Sequence, residues 1–136
     1  MIEVSNLTAQ TLQPGQAITF DKLLHKSGNC ECWSSQLPTS VKLRAGCNAV
    51  YDIEFAGNIS GAAATTLQLA IAVQGQPLVE TAMNSTPSTA DVPNNVATGT
   101  YLKMGCADLD RISVVNNGTA EVTVAPNSNL RIRRVA

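Results

Sequence analysis

From residue 47 to residue 59 every odd position is apolar or small: Cys47, Ala49, Tyr51, Ile53, Phe55, Gly57 and Ile59. The positions between them include Asn48, Asp52, Glu54 and Asn58. The same phase returns at Leu67, Leu69, Ile71 and Val73, with Gln68 inside the run and Gln74 after it. Side chains of a strand alternate between the two faces of a sheet, so a period of two buries one set and turns the other away. Two long strands are therefore predicted, over residues 47–59 and 65–74. Shorter strands are predicted over 2–7, 18–20, 41–44, 78–84, 96–104, 111–116, 121–124 and 130–135.

Turn residues punctuate these runs. Pro14-Gly15 separates the first two, and Gln74-Gly75-Gln76-Pro77 is expected to fold 78–84 back on 65–74 as a hairpin. Asn117-Gly118, between 112–115 and 122–124, reads as the strongest hairpin signal, with both residues expected at positive φ. Gly57 is expected to mark a bulge or bend within its strand. No helical period of useful length occurs. Eight to ten short strands with a turn about every 8–12 residues predict an all-β sandwich or barrel of antiparallel sheets. Its core should include Ile53, Phe55, Leu67, Leu69, Ile71, Val73, Leu102, Ile112, Val114 and Ile132.

A chain of 136 residues fits one domain with one core. Charged residues make up 14% of it, against roughly 25% in an average soluble domain, and Asn, Thr, Ser, Gln and Ala take their place. Such an exterior suits an exposed particle-surface protein or one packed against copies of itself. A net charge of −1 argues against nucleic acid as a partner. Arg131, Arg133 and Arg134 read as the solvent or interface face of a last strand. Residues 1–10 have no signal-peptide pattern and no stretch approaches the roughly 20 apolar residues of a membrane helix, so synthesis in a cytoplasm and no membrane partner are expected.

Catalytic equipment is sparse. His25 is the single histidine, and its spacing to Asp21 and Ser27 carries no triad geometry. No enzyme activity, metal or other cofactor is predicted. Asp52, Asp91, Asp108 and Asp110 lack the glycine-turned loop of a calcium motif. Trp33 reads as packing, with a sugar- or partner-contacting role as the other option. Cys30, Cys32, Cys47 and Cys106 form a candidate thiol or disulfide cluster. Their spacing is poor for a tetrathiolate zinc site, so free thiols are placed first, a disulfide second and a metal third.

The segment TLQPGQAITFDKLLHKSG, then VKLRAGCNAVYDIEFAGNIS, then TTLQLAIAVQGQPL and finally DRISVVNNGTAEVTV with NLRIRRVA resemble, in this order, the strands of tumour-necrosis-factor-like and complement-globular-head-like jelly rolls. The likeness covers essentially the whole chain and is nearest to small bacterial and phage members of that group. It implies a jelly-roll sandwich of two antiparallel sheets. It further implies a homotrimer packed along the jelly-roll flank, and a role as a head-fibre or capsid-decoration protein. Cys47 and Cys106 would then lie at one edge of the barrel, near enough to consider a bridge.

The resulting expectation is a non-enzymatic virion-surface protein docked on a major capsid protein. Residues 1–12 form an anchoring arm or first strand, and 13–136 a single jelly-roll domain. Ile2, Val4 and Leu7 are the candidate anchoring residues, and Ala70 and Ala72 the candidate trimer contact. The alternative is a trimeric head that binds a host receptor or glycan on a phage, bacterial or spore surface.

Overall fold

A computed structural model describes residues 1–44, 48–104 and 109–136 of the chain. Thirteen strands occur among them: β1 (Ile2–Ser5), β2 (Gln10–Leu12), β3 (Lys22–Lys26), β4 (Glu31–Ser34), β5 (Leu37–Arg44), β6 (Val50–Ser60), β7 (Leu67–Val73), β8 (Gln76–Pro77), β9 (Met83–Ser85), β10 (Asn94–Lys103), β11 (Leu109–Asn116), β12 (Val122–Val124) and β13 (Asn129–Arg134). The strands beyond the eight to ten expected are short pieces such as β2, β8 and β9. One 3-10 turn, Val79–Thr81, is the helical element among the described residues, and none of their helices is long and apolar enough to cross a membrane.

Two antiparallel sheets face each other. The seven-stranded sheet is organised on β6, which pairs with β10 along one side and with β13 and then β12 along the other. Beyond β13 come β1 and the edge strand β3. The six-stranded sheet runs β4-β5-β11-β7, with β8 and β9 sharing the far side of β7. The alternating residues deliver the core: Ile53, Phe55, Leu67, Leu69, Ile71, Ile112, Val114 and Ile132 are buried, while Val73 and Leu102 pack half-buried against them. Burying such side chains contributes roughly 1.5–3 kcal/mol each, the main force holding the layers together.

Asn117-Gly118 does not make a hairpin. The strand before it, β11, lies in the six-stranded sheet and the strand after it, β12, in the other, so the segment crosses between layers. Neither residue is at positive φ. Buried Asn116 holds this corner instead: its Nδ2 donates to Leu12 O at 3.0 Å and Ala120 O at 2.8 Å, and its Oδ1 accepts from Gly118 N at 3.0 Å. The two-residue turn with both φ positive is Gln74-Gly75, at +53° and +79°, joining β7 to β8. The expected hairpin partner at 78–84 is broken up, because the chain leaves β7 after β8 and rejoins it at β9. Thr81 fills the gap: its buried hydroxyl accepts from Ile71 N at 2.9 Å and lies 2.7 Å from Leu78 O.

Gly57 is not a bulge, since the pairing of β6 with β10 runs without a register shift. It is small because a Cβ there would sit 2.9 Å from Ser128 Cβ and 3.3 Å from Phe55 Cζ. The expected strand at 18–20 is an extended segment instead. Ile18 and Phe20 are buried, and their amides donate to Val114 O at 2.9 Å and Pro38 O at 3.0 Å.

Candidate assembly face

The outward side of the seven-stranded sheet carries the alternate residues of its long strands. Direct cross-strand partners share a face, so pairing fixes who is beside whom. One row runs Glu3, Arg131, Glu54 and Gly99; the next runs Arg133, Asp52 and Tyr101. Arg131 lies 3.8 Å from Glu3 and 3.6 Å from Glu54, and Arg133 is 3.2 Å from Asp52. The arginines keep about half of their side chains in solvent although Asp52 is buried, and ion pairs open to solvent in this way contribute about 0–1 kcal/mol to stability. Their larger effect is to cancel charge sideways, leaving a face that another neutral surface can approach.

Relief on this face comes from residue size. Gly99, Ala97 and Ala56 are small, and a depression of about 250 Å³ opens among Glu54, Phe55, Ala56, Ala97, Asn129 and Arg131. Tyr101, on the edge strand β10, projects with 71% of its surface exposed. A protruding aromatic ring and a shallow hollow thus occur on one face of one chain. Strand phase already held the signal for Tyr101: it shares parity with Ala97 and Gly99, opposite to Val96 and Leu102.

The expected anchoring arm is overturned. Ile2 and Val4 are fully buried, and β1 lies inside the sheet between β13 and β3, because both residues carry the inward phase of a strand with a partner on each side. Of the three named residues Leu7 alone is exposed, in the turn after β1, with its amide donating to Asp21 Oδ1 at 2.7 Å. The trimer contact expected at Ala70 and Ala72 is overturned too. Both are completely buried within the chain, opposite Val115 and Ser113 on β11, and offer no surface to a neighbour.

Cys30 is half-buried, Cys32 is exposed, and both are free thiols. Cys47, Cys106 and Asp108 lie outside the described residues. Among the described residues no group of three or more His, Cys, Asp or Glu side chains is placed to hold a metal. His25 is exposed on β3, whereas Asp21 is engaged with Leu7 N and Ser27 with the amine of Met1. Trp33 packs against the core and donates from Nε1 to Pro38 O at 3.2 Å. Arg131 and Arg133 occupy the outward face of the last strand, whereas Arg134, across from Tyr51, has the phase of Leu130 and Ile132 and is exposed only because it ends the strand.

At one end of the sandwich, buried Tyr51 has its hydroxyl 2.8 Å from Arg44 O and 3.3 Å from Cys30 O. Burial, together with nearby Cys30 and Glu31, pushes this phenol up from 10.0 to about 12. A depression of about 620 Å³ also lies among Thr8, Gln10, Thr11, Thr19, Asp21 and Thr39.

No protein-family model matches the chain, and no curated protein matches it in sequence. Solved structures do match in fold. The Eiger TNF of S. frugiperda superposes with a TM-score of 0.75 at 11% identity, covering 99% of this chain and 91% of that one. The globular domain of zebrafish complement 1qA gives 0.63 at 15% identity, covering 98% of each chain. Murine APRIL gives 0.64 at 8% identity, covering 98% of this chain and 97% of that one. The protein therefore has the jelly roll of the TNF-like and complement-head-like domains, as the strand order led one to expect. At these identities the likeness carries the fold and nothing finer.

Proposed function

We propose that this protein is a non-enzymatic head domain that assembles into a homotrimer through the outer face of the seven-stranded sheet. We assign the trimer to the surface of a phage or prophage particle, as a head-fibre or capsid-decoration protein on the major capsid protein. The carrying observation is Tyr101 projecting from the same charge-balanced face that holds the alanine-lined hollow. A knob and a hollow on different parts of one surface favour a head-to-tail contact that closes into a ring. Tyrosine is among the residues that dominate such contacts. Three copies is the number implied by the resemblance to TNF-like heads. The low charge and amide-rich exterior support the particle assignment. With β1 built into the sheet, attachment uses exposed turns and edges.

Native mass measurement tests the assembly: a trimer is expected, and Tyr101→Ala should shift it to monomer without unfolding the chain. A monomeric wild-type chain would sink the proposal. Cosedimentation of the trimer with capsids tests the particle role.

A second reading, a receptor- or glycan-binding head, is favoured by the 620 Å³ depression. Threonine hydroxyls, a glutamine amide and a carboxylate can serve sugar hydroxyls there. Binding of soluble glycans that is lost in Thr11→Val would select this reading.

A further inference from the structure

Four strands finish on a cation at the same end of the sandwich. Lys26 closes β3, Arg44 closes β5, Lys103 closes β10 and Arg134 closes β13. Pairing gathers them: Lys103 stands opposite Val50 and Arg134 opposite Tyr51 at the start of β6, and Lys26 opposite Ile2 at the start of β1. Arg44 reaches the same place from the other sheet, its carbonyl accepting from the Tyr51 hydroxyl at 2.8 Å. All four are exposed, and none is in an ion pair among the described residues. Of the carboxylates described at this end, Glu31 is buried, Asp52 is engaged by Arg133 at 3.2 Å, and Asp110 accepts from Gln74 Nε2 at 3.4 Å. One row further in, Lys42 and Arg111 are direct cross-strand partners on the outer side of the six-stranded sheet. Like charges directly opposite each other destabilise a sheet. The isolated chain carries that cost, and a negative surface laid over the row relieves it.

We infer that this basic end of the sandwich docks on a carboxylate-rich protein surface. The inference rests on the trimer and the particle role proposed above. Cyclic symmetry turns the same end of every copy to one side of the ring, so the cations repeat threefold around the axis. Ammonium and guanidinium groups match carboxylates in charge and donate hydrogen bonds to them. Each exposed contact is weak, but three copies engaged at once multiply the effect. The arrangement fits scattered carboxylates better than a phosphate backbone. Lys26, Lys103 and Arg134 end strands of the seven-stranded sheet and Arg44 a strand of the six-stranded one. The cations are therefore spread over the whole end of the molecule, instead of forming a single stripe for a nucleic acid to follow.

Immobilised poly-L-glutamate is the probe, with duplex DNA and phosphatidylglycerol vesicles beside it. The full chain should bind polyglutamate, and raising salt from about 50 to about 200 mM should weaken binding about tenfold. Lys26→Glu and Lys22→Glu change the net charge equally, but Lys22 stands at the other end of β3. Lys26→Glu and, separately, Arg44→Glu should each weaken binding about fivefold or more, and Lys22→Glu less than about twofold. Using two reversals on different sheets keeps the test intact if one of them fails to fold. Equal losses at the two ends of β3, or no binding by the wild type, would overturn the inference. Tighter retention on DNA or on the vesicles at the same salt would do so too, by giving the surface a phosphate partner. Growth beyond the trimer that Arg44→Glu abolishes would make a second copy the occupant, with the same consequence. Native mass recorded on each protein separates the two claims. A trimer that ignores polyglutamate fails the docking inference alone, and a monomer that still binds through Lys26 and Arg44 fails the trimer alone.

Discussion

Asn6 and Ser128, which stand 122 positions apart in the chain, are joined by two hydrogen bonds. Asn6 Oδ1 accepts from the Ser128 amide at 2.9 Å and also from the Ser128 hydroxyl. Its Nδ2 donates to Thr8 O at 2.9 Å and Ala125 O at 3.0 Å. Both residues are completely buried. One amide side chain thus satisfies the backbone on both sides of the β1 exit and the approach to β13, at a place where no ladder can. Asn6→Ala leaves those groups without partners. It should destabilise the protein by about 2–4 kcal/mol in urea unfolding, with little change in the denaturant slope.

Thr81 tests the same logic within one sheet. Its hydroxyl substitutes for the missing strand partner of Ile71. Thr81→Val keeps the shape and removes the acceptor, so a loss of about 1–3 kcal/mol is expected. Thr81→Ser keeps the hydroxyl and should cost about 1 kcal/mol, the value of one buried methyl. If the two variants lose equal stability, the hydroxyl is not closing the gap.

Gly57 and Gly99 form a matched pair for the role of size. A methyl on Gly57 meets Ser128 Cβ at 2.9 Å, a rigid neighbour that cannot swing away. Gly57→Ala should therefore cost about 1–3 kcal/mol. The nearest atoms to a methyl on Gly99 are at 3.4 Å, ordinary contact, so Gly99→Ala should stay within about 0.5 kcal/mol. Thermal unfolding of the two side by side distinguishes them.

Tyr51 sets an alkaline limit. Its phenol is pushed up to about 12 in the folded chain, chiefly by burial, against 10.0 when free. The folded state therefore holds the proton where the unfolded state has lost it. The stability this represents is complete below pH 10 and disappears as pH rises towards 12, on the order of 2 kcal/mol in all. Denaturation midpoints measured from pH 9 to 12 should fall less steeply in Tyr51→Phe than in the wild type.

Much of the sandwich was legible because alternation is a local property. Ile53, Phe55, Leu69, Ile71 and Val114 announced a buried face wherever the strands came to lie, and the order of the runs pointed to a jelly roll. Asn117-Gly118 shows where local chemistry misleads. The dipeptide favours a tight hairpin, but β11 and β12 gain more by completing different sheets, and Asn116 supplies the corner with hydrogen bonds to distant Leu12 and to nearby Gly118 and Ala120. The candidate sites suffered most. Ile2, Val4, Ala70 and Ala72 were correctly read as apolar or small strand positions, yet whether such a position meets another chain or its own depends on what covers it.

By itself the sequence determined which residues turn inward, that the elements are strands, and the weakly charged character of the exterior, since composition and periodicity need no partner to be read. Only the tertiary structure decided that β1 is interior, that Tyr101 shares an outward face with an alanine-lined hollow, and that Asn6 is buried against Ser128. Those relations join residues tens of positions apart, and their free energies exist only once the chain has closed on itself.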